Sequence, residues 1–310
     1  MRIICIFPSN ECMPWSQSHA IPAALRRMGH QAISAPALDT NFAPVPPHLH
    51  QQLAQTHHLA RQCDLALITA AEKLSTQWWA NIHSPKALWF IDNTGLQDND
   101  YTPRYRHCLT LTPYCFFPAA QDAATFNRPW LPDCADTTVF QPMPQIPKQH
   151  GPSFIGHAYG NRPQWLETLR ASGIPIQHPD TPRPLWIPTD PFAHLHACQL
   201  AALYNSCSAI IGPPAPTQRY GPRAMEAAAC AIPHLMPQFQ AASRANLPAF
   251  QSPQLTYDPS ELNTLKALLS NPALLAKAAA QTHNEVLHKH TLEIRLTQLL
   301  HHLSLANPQA

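Results

Sequence analysis

Gln218, Tyr220, Gly221, Arg223 and Glu226 fall within one stretch, QRYGPRAMEAAACAIPHLM, and their types suit a ligand that carries phosphate beside a sugar. Gly221 and Pro222 can open a helix, whose first N–H groups and positive dipole end attract phosphate. Arg223 can reach that phosphate through charge-assisted hydrogen bonds, or it can pair with Glu226 one turn on. Glu226 itself interrupts an apolar, Ala-rich run, where a carboxylate without partners costs several kcal/mol. A salt bridge to Arg223 would supply one partner; the two hydroxyls of a ribose would supply another kind. Gln218 offers a neutral amide that can bond sugar hydroxyls without stabilising a positive charge.

A second loop, GHAYGNR, follows the apolar SFI and contains Gly156, His157, Tyr159 and Arg162. Glycine lets a backbone approach a ligand closely, and an Arg opening a helix can neutralise a pyrophosphate oxygen. An ordinary strand-to-helix turn has the same composition, and the spacing fits neither the dinucleotide nor the P-loop pattern. In the first half, Asp92 and Asn93 come directly after the apolar KALWFI, where a carboxylate could act as a general base or close an Asx-turn. Asn10, Glu11, Trp15 and His19 are further candidates after the first apolar run. The His-rich tail, with His283, His288, His290, His301 and His302, has no Cys or acid cluster to complete four ligands, so no metal is expected.

Strands alternate with helices around these loops, which predicts an α/β fold with parallel sheets. RIICIF, HQAISA, DLALITA, KALWFID and CLTLT read as strands of a first series, with HAIPAALRRMG an amphipathic helix ending at Gly29. SFIGHA, IPIQHP, AIIGPP and PHLMP read as strands of a second, with RPQWLETLRASG, HACQLAALYNSC and PRAMEAAAC as its helices. SELNTLKALLSN, PALLAKAAAQTHNEVLHK and TLEIRLTQLLHHL close the chain as helices. The Pro-rich, poorly periodic stretch around 141–152 places a linker there. Open sheets of this kind build their ligand sites at the carboxyl ends of strands, which is where GHAYGNR, the Gln218 loop and Asp92 fall.

The 310 residues suffice for two domains of ordinary size, and 45% hydrophobic residues can fill two cores. With 20 Lys and Arg against 18 Asp and Glu there is no excess of charge of the kind that grips nucleic acid, although 19 His could shift the balance below about pH 6.5. No strong binding of unmodified nucleic acid is expected. The nine Cys form no C-x-x-C pair, and Cys5, Cys108, Cys207 and Cys230 lie in or beside apolar runs, as reduced buried thiols do. MRIICIFP is too short for a signal-peptide core, and no stretch approaches the roughly 20 apolar residues that span a bilayer. The expectation is a soluble, cytoplasmic protein.

Three segments together resemble the CgeB-type glycosyltransferases, a family named after a spore-maturation protein: SFIGHAYGNRPQWLETL, GPRAMEAAACAIP and LHKHTLEIRLTQLL. They are similar to that family's strand and loop ending in Arg, its R-x-x-E-A-x-A-C-G turn and its H-T-x-x-x-R helix. The Gln218 to Glu226 spacing also resembles the paired glutamates of retaining enzymes with the GT-B fold, with Gln218 in place of the first. The resemblance implies two Rossmann-like domains whose parallel sheets face across a cleft. Residues 1–145 would take the acceptor and 146–290 a nucleoside diphosphate sugar, with the helix of 291–310 packing back on the first. It further implies donor contacts from Gly156, His157, Tyr159, Arg162, Gln218, Tyr220, Gly221, Arg223 and Glu226. Arg223, Gln218 and Asp92 are the catalytic candidates, no bound metal or other cofactor is needed, and the acceptor is open between protein, glycan and modified DNA base. Ala231 stands where the pattern has Gly, which is expected to alter how closely that turn approaches a ligand. Ala231 and Gln218 keep open a non-catalytic binding or structural protein, and an epimerase or hydrolase would share the architecture.

Overall fold

The computed structural model describes residues 1–8, 17–37, 50–69, 82–90, 102–156, 161–178, 193–213, 221–238 and 255–306. Contacts divide the chain into two compact units, one of Met1–Pro132, Pro184–His194 and Leu292–Ala310, the other of Asp133–Arg183 and Leu195–Thr291.

The first unit runs β1 (Arg2–Pro8), α1 (Gln17–Arg27), β2 (Gln31–Ala37), α2 (His50–Ala60), β3 (Leu65–Thr69), β4 (Lys86–Trp89), α3 (Thr102–Leu111), β5 (Cys115–Phe116) and α4 (Ala120–Thr125). Its sheet has the order β2-β1-β3-β4-β5, with every pair parallel. Central strands of such a sheet are covered on both faces, so they are continuously apolar: every residue of Leu65–Thr69 is buried. Helix α1 ends where Gly29 adopts φ +87°, with His30 N–H returning to the Leu25 carbonyl at 3.0 Å. The last helix, α10 here (Leu292–Ala306), also belongs to this unit. It buries Leu292, Leu296 and Leu299 along one face, and its Glu293 accepts from Arg27 Nη2 at 2.6 Å. Arg295, almost fully buried, donates from Nε to the Pro132 carbonyl at 3.0 Å.

CLTLT is helix, not strand. Tyr105 and Cys108, one turn apart in α3, are both buried, and Pro103 stands in its first turn. The alternation of Leu109 and Leu111 is a two-residue coincidence inside a longer helical period. The fifth strand comes later and is only Cys115–Phe116.

The second unit runs β6 (His150–Ser153), α5 (Arg162–Ala171), α6 (Ala193–Ser206), β7 (Cys207–Ile211), α7 (Pro222–Ala229), β8 (His234–Pro237), β9 (Leu255–Tyr257), α8 (Leu262–Leu269) and α9 (Pro272–Lys289). The order is β6-β7-β8-β9, again all parallel. One face carries Ala209, Ile211, Leu235 and Tyr257 into a core with Trp165 and Leu169. The alternate residues, such as Ile210 and its register partner His234, belong to the opposite face. The Pro-rich stretch is fastened to this unit, since Asn205 bonds the Met143 N–H and the Gln141 carbonyl, and Lys148 Nζ donates to the Asn205 carbonyl. SFIGHA pairs earlier than its apolar residues suggest, over His150–Ser153. IPIQHP is not a named strand: Pro175 has no N–H to give, and only Gln177 pairs, exchanging bonds with Pro152 and Phe154. The short β9 carries no sequence signal long enough to be read beforehand.

At the end of α7, Ala231 adopts φ +55°, and Ile232 N–H bonds the Ala227 carbonyl at 2.9 Å. This is the left-handed helix-ending position that favours Gly, and it lies about 12 Å along the axis from the start of α7. The departure from the family pattern therefore acts on a helix cap rather than on the end that could meet phosphate. Ala231→Gly is expected to raise stability by about 1 kcal/mol, read as a higher urea midpoint at unchanged slope. An unchanged midpoint would refute the cap argument.

Candidate functional site

Gly156 follows β6 at the carboxyl end of the sheet and has φ +145°, a backbone that residues with side chains rarely adopt. A Cβ at Gly156 would stand 2.7 Å from Arg223 Nε, 2.8 Å from Nη2 and 2.9 Å from Cζ. The guanidinium of Arg223 thus lies directly against the bare α-carbon of Gly156. Two motifs distant in sequence meet here, and they meet because one residue lacks a side chain.

The turn around Gly156 is held from behind. His178 Nε2 donates to the Gly156 carbonyl at 2.7 Å, and its ring stacks on buried Phe154 at 5.2 Å. Arg162, at the start of α5, places its guanidinium carbon 5.8 Å from the Phe154 ring centre, a cation–π distance. Trp165 meets the same ring edge-on at 5.5 Å.

Helix α7 opens on Gly221 as its N-cap, with Pro222 next and no side-chain cap among the described residues. Pro222 has no N–H and the Ala224 N–H bonds the Gly221 carbonyl at 3.0 Å, which leaves the Arg223 N–H and the helix dipole to meet an anion. One turn on, Glu226 is 7% exposed. It forms no ion pair with Arg223 among the described residues. Its Oε2 instead accepts from the Tyr204 hydroxyl at 2.7 Å. Burial pushes the Glu226 carboxyl above its ordinary range, the Tyr204 bond and the Arg223 charge pull it back, and the charge of Asp133 opposes them. Burial and then the Glu226 charge push the Tyr204 phenol far up, so it keeps its proton and serves as a donor.

His234, at the start of β8, completes the group. Burial first, and the Arg223 charge second, depress its pKa to about 4. Its Nδ1 is buried and has no hydrogen-bond partner among the described residues. The ring lies 3.5 Å from where a Cβ on Gly212 would be, and Met236 Sδ stands 2.8 Å from that point.

Of the residues expected from sequence, Gly156, Gly221, Arg223 and Glu226 gather at one end of the second sheet, and Arg162 stands beside them on Phe154. Asp92, His157, Tyr159, Gln218 and Tyr220 lie outside the described residues, as do Asn10, Glu11, Trp15 and Asn93. Tyr204, His178, His234 and Gly212 were not anticipated. Only Gly212, directly after the apolar AII, carries a signal of close approach. Among the described residues no three His, Cys, Asp or Glu come together in a metal-ligating group. No helix described is long and apolar enough to cross a membrane.

Residues 155–301, which include every described member of this group apart from its Phe154 support, match a family model described as glycosyl transferase-like. No curated protein matches the chain. Among solved structures the chain is similar to sucrose-phosphate synthase from Thermosynechococcus elongatus, with 11% identity and a TM-score of 0.63, covering 99% of this chain and 100% of that one. It is also similar to Alr3699/HepE of Anabaena in complex with UDP and glucose, with 10% identity and a TM-score of 0.64, covering 98% and 99%. At such identities the likeness is one of fold: α/β, with two parallel sheets, in the GT-B architecture.

Proposed function

We propose that this protein is a glycosyltransferase of the CgeB type that moves a sugar from a nucleoside diphosphate donor to an acceptor. The observation that carries the reading is the Arg223 guanidinium seated on Gly156 at the mouth of an uncapped helix, with Glu226 one turn behind it. An anion at that mouth meets a fixed charge, the Arg223 N–H and the positive end of the helix dipole, and a ribose one turn deeper meets a carboxylate. A UDP complex of a protein with the same fold supports the choice of donor.

In this reading Gly156, His157, Tyr159 and Arg162 line the diphosphate from the β6 loop. Tyr220, Gly221 and Arg223 line it from α7, and Glu226 accepts from the ribose. Gln218 bonds hydroxyls of the transferred sugar. The bond from the anomeric carbon to the β-phosphate oxygen breaks with its electron pair leaving on the diphosphate, and the acceptor oxygen takes its place as its proton passes to that departing phosphate oxygen. Arg223 stabilises the charge that develops on the leaving oxygen, so no metal is required. Gln218 and Glu226 are spaced as in retaining enzymes, so the product keeps the donor's anomeric configuration. Asp92 then positions the acceptor and is not an obligatory base. The unit of Asp133–Arg183 and Leu195–Thr291 is the donor domain, and the unit of Met1–Pro132, Pro184–His194 and Leu292–Ala310 takes the acceptor. The protein is cytoplasmic, and unmodified nucleic acid is not a tight ligand.

Calorimetric titration with UDP and UDP-sugars tests the donor site. Glu226→Ala is expected to weaken UDP binding about 10- to 30-fold while the protein stays folded, the loss typical of a charged acceptor. A folded variant with unchanged affinity would remove Glu226 from the site. The anomeric configuration of the product, read by NMR, decides retention.

A further inference from the structure

We infer that Tyr204 is a positioning residue for the ribose site, its phenol holding the Glu226 carboxylate in the orientation that accepts ribose hydroxyls. The inference rests on the reading of Glu226 just given. Tyr204 is fully buried near the end of α6 and reaches Glu226 on α7 at 2.7 Å, a short and charge-assisted contact. The phenol is itself fixed. Phe140 meets its ring edge-on at 6.0 Å, and the next residue, Asn205, is bonded to Ala201, Gln141 and Met143. A glutamate side chain at the rim of a site ordinarily samples several rotamers, and each must be given up when a ligand binds. Here Oε2 is committed to a rigid donor, so what remains of the carboxylate's acceptor capacity points one way before any ligand arrives.

Arg223 cannot do this work, since its guanidinium lies over Gly156 and forms no ion pair with Glu226 among the described residues. Asp133 also cannot, because its charge acts against that of Glu226. Tyr204 alone among these groups offers a proton to the carboxylate.

The test compares UDP with 2′,3′-dideoxyuridine diphosphate by calorimetry, in wild type and Tyr204→Phe. Wild type is expected to prefer UDP. The variant is expected to lose about 5- to 10-fold in affinity for UDP and less than about 2-fold for the dideoxy compound, which offers Glu226 nothing to accept. A merely structural tyrosine would weaken both ligands together, and that result, or no loss for either, would overturn the inference. Wild type that does not bind UDP, or binds both compounds equally, would instead overturn the ribose reading of Glu226 on which it stands. Should Tyr204→Phe fold poorly, the same comparison is made in an Ala231→Gly background, whose relieved helix cap offsets the lost hydrogen bond.

Discussion

Arg223→Ala is expected to weaken binding of UDP by about 100-fold and binding of uridine by less than about 3-fold. Two charge-assisted hydrogen bonds from a guanidinium to a diphosphate are worth about 3 kcal/mol together, and a nucleoside has no phosphate to receive them. The expectation follows from placement rather than residue type, because Arg223 stands in the first turn of α7 with its guanidinium against Gly156. Gly156→Ala offers an independent check. Its new methyl would fall 2.7–2.9 Å from the guanidinium atoms, so Arg223 must move, and the backbone at φ +145° is strained as well. The same selective loss for UDP is expected, smaller because Arg223 can swing rather than vanish. Equal losses for UDP and uridine in both variants would show that the arginine only supports the fold.

The parts of this site that sequence revealed are those where type and local spacing are sufficient. A Gly-Pro-Arg opening followed by one carboxylate in an alanine run fixes a helix start and a polar face, whatever surrounds it. The long apolar strands were legible for a similar reason, since LALIT can only be buried on both sides. Contacts between elements were not legible. Sequence left Glu226 with a choice between Arg223 and a ribose, and its partner in the structure is Tyr204, on another helix, within a stretch that reads only as a further helix. Gly156 and Arg223 were each named, but nothing local says that one packs on the other.

Short elements failed for a different reason. CLTLT alternates over too few residues to outweigh the helical period set by Tyr105 and Cys108, and IPIQHP is apolar enough for a strand but has a proline where a donor is needed. Ala231 shows the opposite case, in which a residue flagged for its ligand contact proves to matter for backbone geometry.

Lowering the pH from 7 to 4 is expected to destabilise the wild-type protein more than His234→Gln, by an amount on the order of 3 kcal/mol. His234 titrates near 4 in the folded protein, against an ordinary value of 6.5 when unfolded. Between these values the unfolded chain binds a proton that the native one refuses, so the stability present above pH 6.5 is lost as pH falls towards 4 and is not lost further below it. The cause is local. The ring is half-buried against Gly212 with Nδ1 buried, and the Arg223 charge discourages a second positive charge beside it. Glu226 works in the contrary direction, because its raised pKa means that protonation on acidification favours the native state. That contribution is present in both proteins and cancels in the difference between them, which is why the variant is the proper reference. Urea unfolding of wild type and His234→Gln at steps from pH 7 to 4 measures that difference directly. Parallel stability curves would mean that His234 takes its proton as freely in the folded protein as outside it, and that the ring beside Arg223 is open to water.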